Sequence, residues 1–275
     1  MKKIILLTDF SDNALDAIHY SMRFFSSEKC IFYLMHVHKA GSFISDDLMT
    51  SSSESIYESI TKAPREKLNT LAENLKKQYN NSNHTFGIII DFDVFTDAVN
   101  QAIKTYDIDI VIMGSNGISG VKEVIFGSNT LNVIRGVICK TLIIPNNYMF
   151  KPAKNFLLPL QDKDIINEEQ INLVNEFTKK QQLKLHVLRV CSKEKIVETI
   201  RTDNSKLNTT SCNYNIESSK FFDAVIDYLE VHDIDLMGLI VHDKSFIERL
   251  FTESPTIKLS KVIKLPLLIF HSSEH

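Results

Sequence analysis

Five segments of this chain recur, in the same order, in its second half. Lys3-Ile4-Ile5-Leu6-Leu7-Thr8 returns as Asn155-Phe156-Leu157-Leu158-Pro159-Leu160, and Phe32-Tyr33-Leu34-Met35-His36-Val37 as Leu185-His186-Val187-Leu188-Arg189-Val190. The stretch Val94 to Val99 returns loosely as Phe221 to Val225, and Tyr106-Asp107-Ile108-Asp109-Ile110 closely as His232-Asp233-Ile234-Asp235-Leu236. Lys140-Thr141-Leu142-Ile143-Ile144 returns as Leu265-Pro266-Leu267-Leu268-Ile269. Repeated patterns in fixed order indicate an internal duplication, and two copies make a pseudo-dimer rather than a solenoid. The length of 275 residues suits two domains at roughly 100–200 residues each. Lys151-Pro152-Ala153 reads as the linker, which divides the chain into domains 1–150 and 151–275.

Within the first copy, apolar runs alternate with helical patterns. The run Lys3 to Thr8 suits a strand buried on both faces. Ser11-Asp12-Asn13 suits a helix start, with Leu15, Ile18, Met22 and Phe25 as its apolar stripe. Cys30 to Val37 is a second strand, and the serine-rich stretch Gly41 to Ser55 a surface loop. Leu68, Leu71, Leu75 and Tyr79 mark a helix entered at Pro64. Then come a strand at Thr85 to Ile90, a helix through Val99, Ile103 and Tyr106, a strand at Asp109 to Met113, a short helix at Asn129 to Arg135 and a strand at Thr141 to Ile144. Such alternation predicts right-handed βαβ units. The fold class is therefore α/β: two tandem, open, parallel five-stranded sheets flanked by helices, with the second domain degenerate. In the second copy the link between the second and third strands is much shorter, too short for the long second helix.

Bulk properties exclude several function classes. A net charge of −3, from 31 basic and 34 acidic residues, gives no electrostatic case for nucleic acid or an anionic membrane. Cys30, Cys139, Cys191 and Cys212 form no CxxC pair and show no zinc-site spacing, so they read as apolar thiols in a reducing compartment. No apolar run approaches the roughly 18–20 residues of a membrane helix, and the apolar stretch after Met1 stops at Thr8-Asp9, too short for a signal peptide. The expected location is the cytoplasm.

The chain has only eight glycines, and five of them lie between Gly114 and Gly136. They belong to Met113-Gly114-Ser115-Asn116-Gly117-Ile118-Ser119-Gly120, followed after Val121 to Phe126 by Gly127-Ser128-Asn129-Thr130. Glycine lets a backbone approach a ligand without a Cβ in the way. Gly127-Ser128 at a helix start presents main-chain N–H groups and the positive end of the helix dipole, an anion site. The hydroxyls of Ser128 and Thr130 and the amide of Asn129 add donors. The loop leaves the carboxyl end of a parallel strand, where ligands bind in open α/β sheets. No Gly-x-Gly-x-x-Gly follows the first strand, and no Gly-Lys-Ser/Thr occurs, so neither the dinucleotide fingerprint nor the P-loop is present.

The spacing Gly114-x-x-Gly117, nine residues, Gly127-Ser128 resembles the nucleotide motif of the ATP-binding universal stress proteins. The flanking Asp109-Ile110-Val111-Ile112-Met113-Gly114-Ser115 and the opening strand's end, Thr8-Asp9-Phe10-Ser11, also look like that family. The resemblance covers the first half well and the second weakly. It implies an adenine nucleotide alpha hydrolase-like, Rossmann-like fold, and ATP as the ligand, with Mg2+ a plausible bridge between phosphates. By that resemblance Thr8 and Asp9 close the first strand, with Asp9 hydrogen-bonded to the adenine. Val37 presents backbone groups and an apolar surface to the base, and Met113 packs near the nucleoside. Gly114 and Gly117 let main-chain amides face ribose and phosphates, and Gly127, Ser128, Asn129 and Thr130 hold the phosphate tail. Plainer roles stand beside these: Asp9 as a cap of the next helix, Val37 as a core residue, and Lys122 as a solvated lysine rather than a phosphate contact. No water-activating base or arginine finger is evident beside the loop, so any hydrolysis would be slow.

The second half has lost this motif. Thr252-Glu253 stands where Gly127-Ser128 stood, and Gln161 replaces Asp9. A glutamate repels an anion at the phosphate seat, so no ATP is expected in that half. His242-Asp243 reads as a surface loop pair. His36 and His38, at strand spacing, share a face that could bind metal or sense pH, with no third ligand at suitable spacing. No dedicated metal site and no catalytic residue is read from the sequence. The leading expectation is a regulatory, ATP-binding stress-response protein that acts through nucleotide-dependent conformation or protein partners. The alternatives are a nucleotide-independent, dimer-like interaction scaffold, and an enzyme such as an ATPase or an adenylyl-transferring relative. The family's dimers imply that the halves pair through their last strands, or that the chain dimerises further.

Overall fold

A computed structural model describes residues 1–38, 53–116, 126–161, 167–191, 212–217, 221–241 and 264–271. The chain forms two compact units, Met1–Ser119 with Gly127–Cys139, and Gly120–Phe126 with Lys140–His275.

The first unit contains β1 (Lys2–Leu7), α1 (Asp12–Phe24), β2 (Cys30–Val37), α2 (Ser53–Tyr79), β3 (His84–Asp91), α3 (Phe95–Tyr106), β4 (Ile110–Gly114) and α4 (Ser128–Gly136). Its strands run in the order β3-β2-β1-β4, all parallel. Ile4, Ile5, Leu6 and Leu7 are all buried, as a strand covered on both faces requires. In α1 the Ser11 side chain accepts a hydrogen bond from Ala14 N–H at 3.3 Å and so caps the helix. Of the predicted stripe, Ile18, Met22 and Phe25 are buried while Leu15 is only partly so; Asn13, Ala14, Ala17, Tyr20 and Ser21 are buried as well.

Helix α2 departs from the sequence reading. It begins at Ser53, so Ser53–Ser55 are helical and Pro64 lies inside the helix rather than at its entry. An internal proline costs one main-chain hydrogen bond and a clash with the carbonyl four residues back. Thr61, Leu68, Ala72 and Leu75, all buried, span the position and anchor the helix on both sides of it.

The second unit contains β5 (Thr141–Ile144), β6 (Asn155–Gln161), α5 (Glu168–Lys180), β7 (Lys184–Cys191), β8 (Cys212–Glu217), α6 (Phe221–Val231), β9 (Leu236–Val241) and β10 (Leu267–His271). The order β8-β7-β6-β9 repeats the order β3-β2-β1-β4 of the first unit. Strand β10 lies parallel to β9 and antiparallel to β5, with Leu268 opposite Leu142. The observed class is therefore α/β, with flanking helices and strands that are parallel except at the β5–β10 pair. Helix α5, which the apolar patterning does not predict, carries a full capping box. Asn167 Oδ1 accepts from Gln170 N–H at 2.9 Å, and Gln170 Oε1 accepts from Asn167 N–H at 3.0 Å. The shortened link between β7 and β8 lies outside the described residues. No described helix is long and apolar enough to cross a membrane.

Candidate functional site

In the first unit the chain builds outward from β1 to β2 and β3, then returns to lay β4 on the other edge of β1. Strand order reverses between β1 and β4, and the crevice at their carboxyl ends is the ligand position of open α/β sheets. Leu6 pairs with Ile112 and Leu7 with Met35, so the ends of β1, β2 and β4 come level near Thr8, Val37 and Gly114.

Thr8 is tied at both ends. Its N–H donates to Met35 O at 2.9 Å, and its carbonyl lies 2.8 Å from His36 Nδ1. Its hydroxyl accepts from Phe10 N–H at 3.0 Å, across a turn that puts Phe10 at φ 63°. Asp9 Oδ1 accepts from both the N–H (3.0 Å) and the hydroxyl of Ser11. The helix cap is therefore Ser11, and Asp9 holds the cap. Burial, the largest influence, pushes the His36 imidazole below its ordinary value; the Thr8 carbonyl opposes this and His38 adds to it. The rings of Phe10 and His36 lie 4.8 Å apart, and those of His36 and His38 6.0 Å apart.

Met113 is buried and Gly114 ends β4. A Cβ on Gly114 would come within 2.7 Å of Asn13 Nδ2 and 2.8 Å of Asn13 O, so α1 can approach β4 here only because the residue is glycine. Gly127 is the N-cap of α4, in extended conformation (φ −61°, ψ 157°), with no side chain to bond the first-turn amides. Two expected donors are engaged within the loop. Gly127 N–H donates to Ser115 O at 2.9 Å, and the buried Thr130 hydroxyl lies 2.9 Å from Ser115 O and 3.3 Å from Gly114 O. Ser128 is exposed and Asn129 half-buried at the start of the helix. Gly117 lies outside the described residues, as do Lys122, His242, Asp243, Thr252 and Glu253. The structure thus gathers Thr8, Asp9, Val37, Met113 and Gly114 on the ends of three adjacent strands, and ties α4's start to the residue after Gly114. The sequence assigns no role at this site to Asn13 or Ser115, and to His36 only a shared face with His38; the Asn13–Gly114 approach joins residues too far apart in sequence to leave a local signal.

Among the described residues no three His, Cys, Asp or Glu side chains cluster closely enough to hold a metal ion. Cys30 is a buried thiol, and Cys139 Sγ donates to Ile108 O at 3.6 Å.

The model of the universal stress protein family matches residues 1–145. The chain belongs to the universal stress protein family. Universal stress protein MJ0577 of Methanocaldococcus jannaschii is 27% identical over 143 residues, covering 49% of this chain and 88% of that relative. Among solved structures, a universal stress protein from Archaeoglobus fulgidus aligns over 98% of both chains with a TM-score of 0.66 at 14% identity. A protein assigned to the same family from Pseudomonas aeruginosa aligns over 98% of this chain and 93% of its own, with a TM-score of 0.57 at 11% identity. At these identities the structural likeness is one of fold. The universal stress protein match stops where the second copy begins, in keeping with the loss of the glycine motif there.

Proposed function

We propose that the first unit binds ATP and that the protein is a nucleotide-responsive regulator rather than a rapid enzyme. The observation that carries this reading is the start of α4. A glycine N-cap with no side-chain cap leaves the first-turn amides of Ser128 and Asn129 for an anion, beside the strand-order reversal at β1 and β4. Asp9 and Val37, at the tips of β1 and β2, would hold the base. Met113 would pack against the nucleoside, and Gly114 and Gly117 would admit ribose and phosphates. The first turn of α4, Gly127 to Thr130, would hold the tail, with Thr130 contributing its main-chain amide because its hydroxyl is engaged. Mg2+, if bound, would be carried by the phosphates.

The duplicated sequence supports functional domains at 1–150 and 151–275, with nucleotide in the first alone. The antiparallel pairing of β5 with β10, the last strands of the two copies, supports an intramolecular pseudo-dimer. The proposed setting is the cytoplasm, with protein partners as the output. Mass spectrometry of small molecules released from the purified protein tests the reading: an adenine nucleotide at near-stoichiometric amount is expected. A protein that carries none and takes up none in equilibrium dialysis against millimolar ATP would favour the scaffold.

A further inference from the structure

Asn13 stands in the first turn of α1, 5% exposed, and donates from Nδ2 to the main-chain oxygen of Asn116 at 2.6 Å. Its other amide atom, Oδ1, is buried with no hydrogen-bond partner. A buried carbonyl oxygen without a donor is costly. Turning the amide over would not help, because it would set Oδ1 against the Asn116 carbonyl. The bond to Asn116 therefore dictates how the side chain sits. Gly114 makes room for that reach, since a Cβ there would lie 2.8 Å from Asn13 Cγ. From the other side, Ser115 O accepts from Gly127 N–H and from the Thr130 hydroxyl. The residues leaving β4 are thus held by α1 through Asn13 and by α4 through Gly127 and Thr130.

We propose that Asn13 is a positioning residue for the phosphate tail of the nucleotide: by holding Asn116 it sets where the glycine loop leaves β4 relative to the first turn of α4. The proposal rests on the reading of this crevice as an ATP site. It predicts a loss confined to the phosphate-dependent part of the affinity, because base and nucleoside contacts lie on Asp9, Val37 and Met113. Affinities for ATP and for adenosine are measured by calorimetric titration of the full-length wild type, Asn13→Ala and Asn13→Asp, with thermal melting to confirm that each variant is folded. Asp has the shape of Asn but no donor for Asn116; Ala removes the bond without adding charge. Both variants are expected to bind ATP roughly threefold to tenfold more weakly, the range of one lost hydrogen bond, while adenosine changes by less than about twofold. Equal losses for both ligands, no loss for either, or a loss in Asn13→Asp alone overturn the positioning role. If the wild type binds neither ligand, the site reading falls and the proposal falls with it; a wild type that prefers ATP beside unaffected variants overturns the proposal alone.

Discussion

Asp109 and Asp235 make the same clasp in the two copies of the duplicated chain. Asp109 Oδ2 accepts from Lys3 N–H at 2.7 Å while Asp109 N–H donates to Lys3 O at 2.9 Å. Asp235 Oδ2 accepts from Asn155 N–H at 3.0 Å while Asp235 N–H donates to Asn155 O at 3.0 Å. Each carboxylate thereby ties the start of the fourth strand of its copy to the start of the first. The second Asp of the closely repeated Asp-Ile-Asp segment makes this bond in both copies.

The two clasps differ in weight. Asp235 also accepts from Lys154 N–H at 2.9 Å and pairs with Lys151 Nζ at 2.8 Å, and it is buried, whereas Asp109 is exposed. Burial alone would raise the Asp235 carboxyl, but Lys151 and the two main-chain amides outweigh it and hold the group below its ordinary value. Asp235→Ala should cost about 2 kcal/mol in urea unfolding at neutral pH, and Asp109→Ala about 1 kcal/mol or less. The Asp235 contribution is present above the ordinary carboxylate value of about 3.9 and lost as pH falls through the lower folded value.

Gly238 in β9 faces the ring of Phe156: a Cβ there would overlap Phe156 Cζ and lie 2.9 Å from Cε1. The ring is fully buried and packed by Phe177 and Phe270, with centroids 5.7 and 6.4 Å away, so it has nowhere to turn. Gly238→Ala should destabilise by about 1–3 kcal/mol, the usual range for overpacking. Adding Phe156→Leu should recover part of that loss, whereas in the wild type Phe156→Leu should only destabilise. Unfolding free energies of the double-mutant cycle measure the coupling.

His271, at the end of β10, is pushed down to about 4 by burial. The unfolded chain takes up its proton near 6.5, so between these values only the unfolded state is protonated. This part of the stability is complete above about pH 6.5 and declines as the pH falls towards 4, by about 3 kcal/mol in total. Relative to wild type, His271→Leu should lose about 2 kcal/mol less between about pH 7.5 and about pH 5, measured by urea unfolding at both. His19, His36 and His186 are also lowered by burial and leave a residual slope of the same sign.

Thr130 is 1% exposed, and its hydroxyl bonds the carbonyl that follows Gly114. Thr130→Val keeps the shape and removes the bond. It should cost about 1 kcal/mol of stability and weaken ATP binding, and Thr130→Ser, which keeps the hydroxyl but loses a buried methyl, should restore the binding.

Much of this architecture was legible because strand signals are local. Cys30 to Val37 and Thr141 to Ile144 are strands with the bounds their apolar runs give. The glycine loop was legible because glycines are scarce in this chain. The start of α2 was not, since Pro64 looks like an entry residue and the contacts that carry the helix past it are tertiary. Helix α5 is announced in the sequence by its Asn167–Gln170 capping box. The engagement of Gly127 N–H and the Thr130 hydroxyl by Ser115 O, and the reach of Asn13 to Asn116, depend on how closely three elements approach, which no spacing of residue types encodes.

The proposed function places one nucleotide site per chain, at the start of α4. Calorimetric titration of ATP into wild type and Gly127→Glu tests it most directly. A carboxylate at the helix start opposes the phosphate charge and fills the place the glycine leaves open. One ATP per chain is expected for the wild type and none for a folded Gly127→Glu variant. Two ATP per chain, or undiminished binding by the variant, would contradict it.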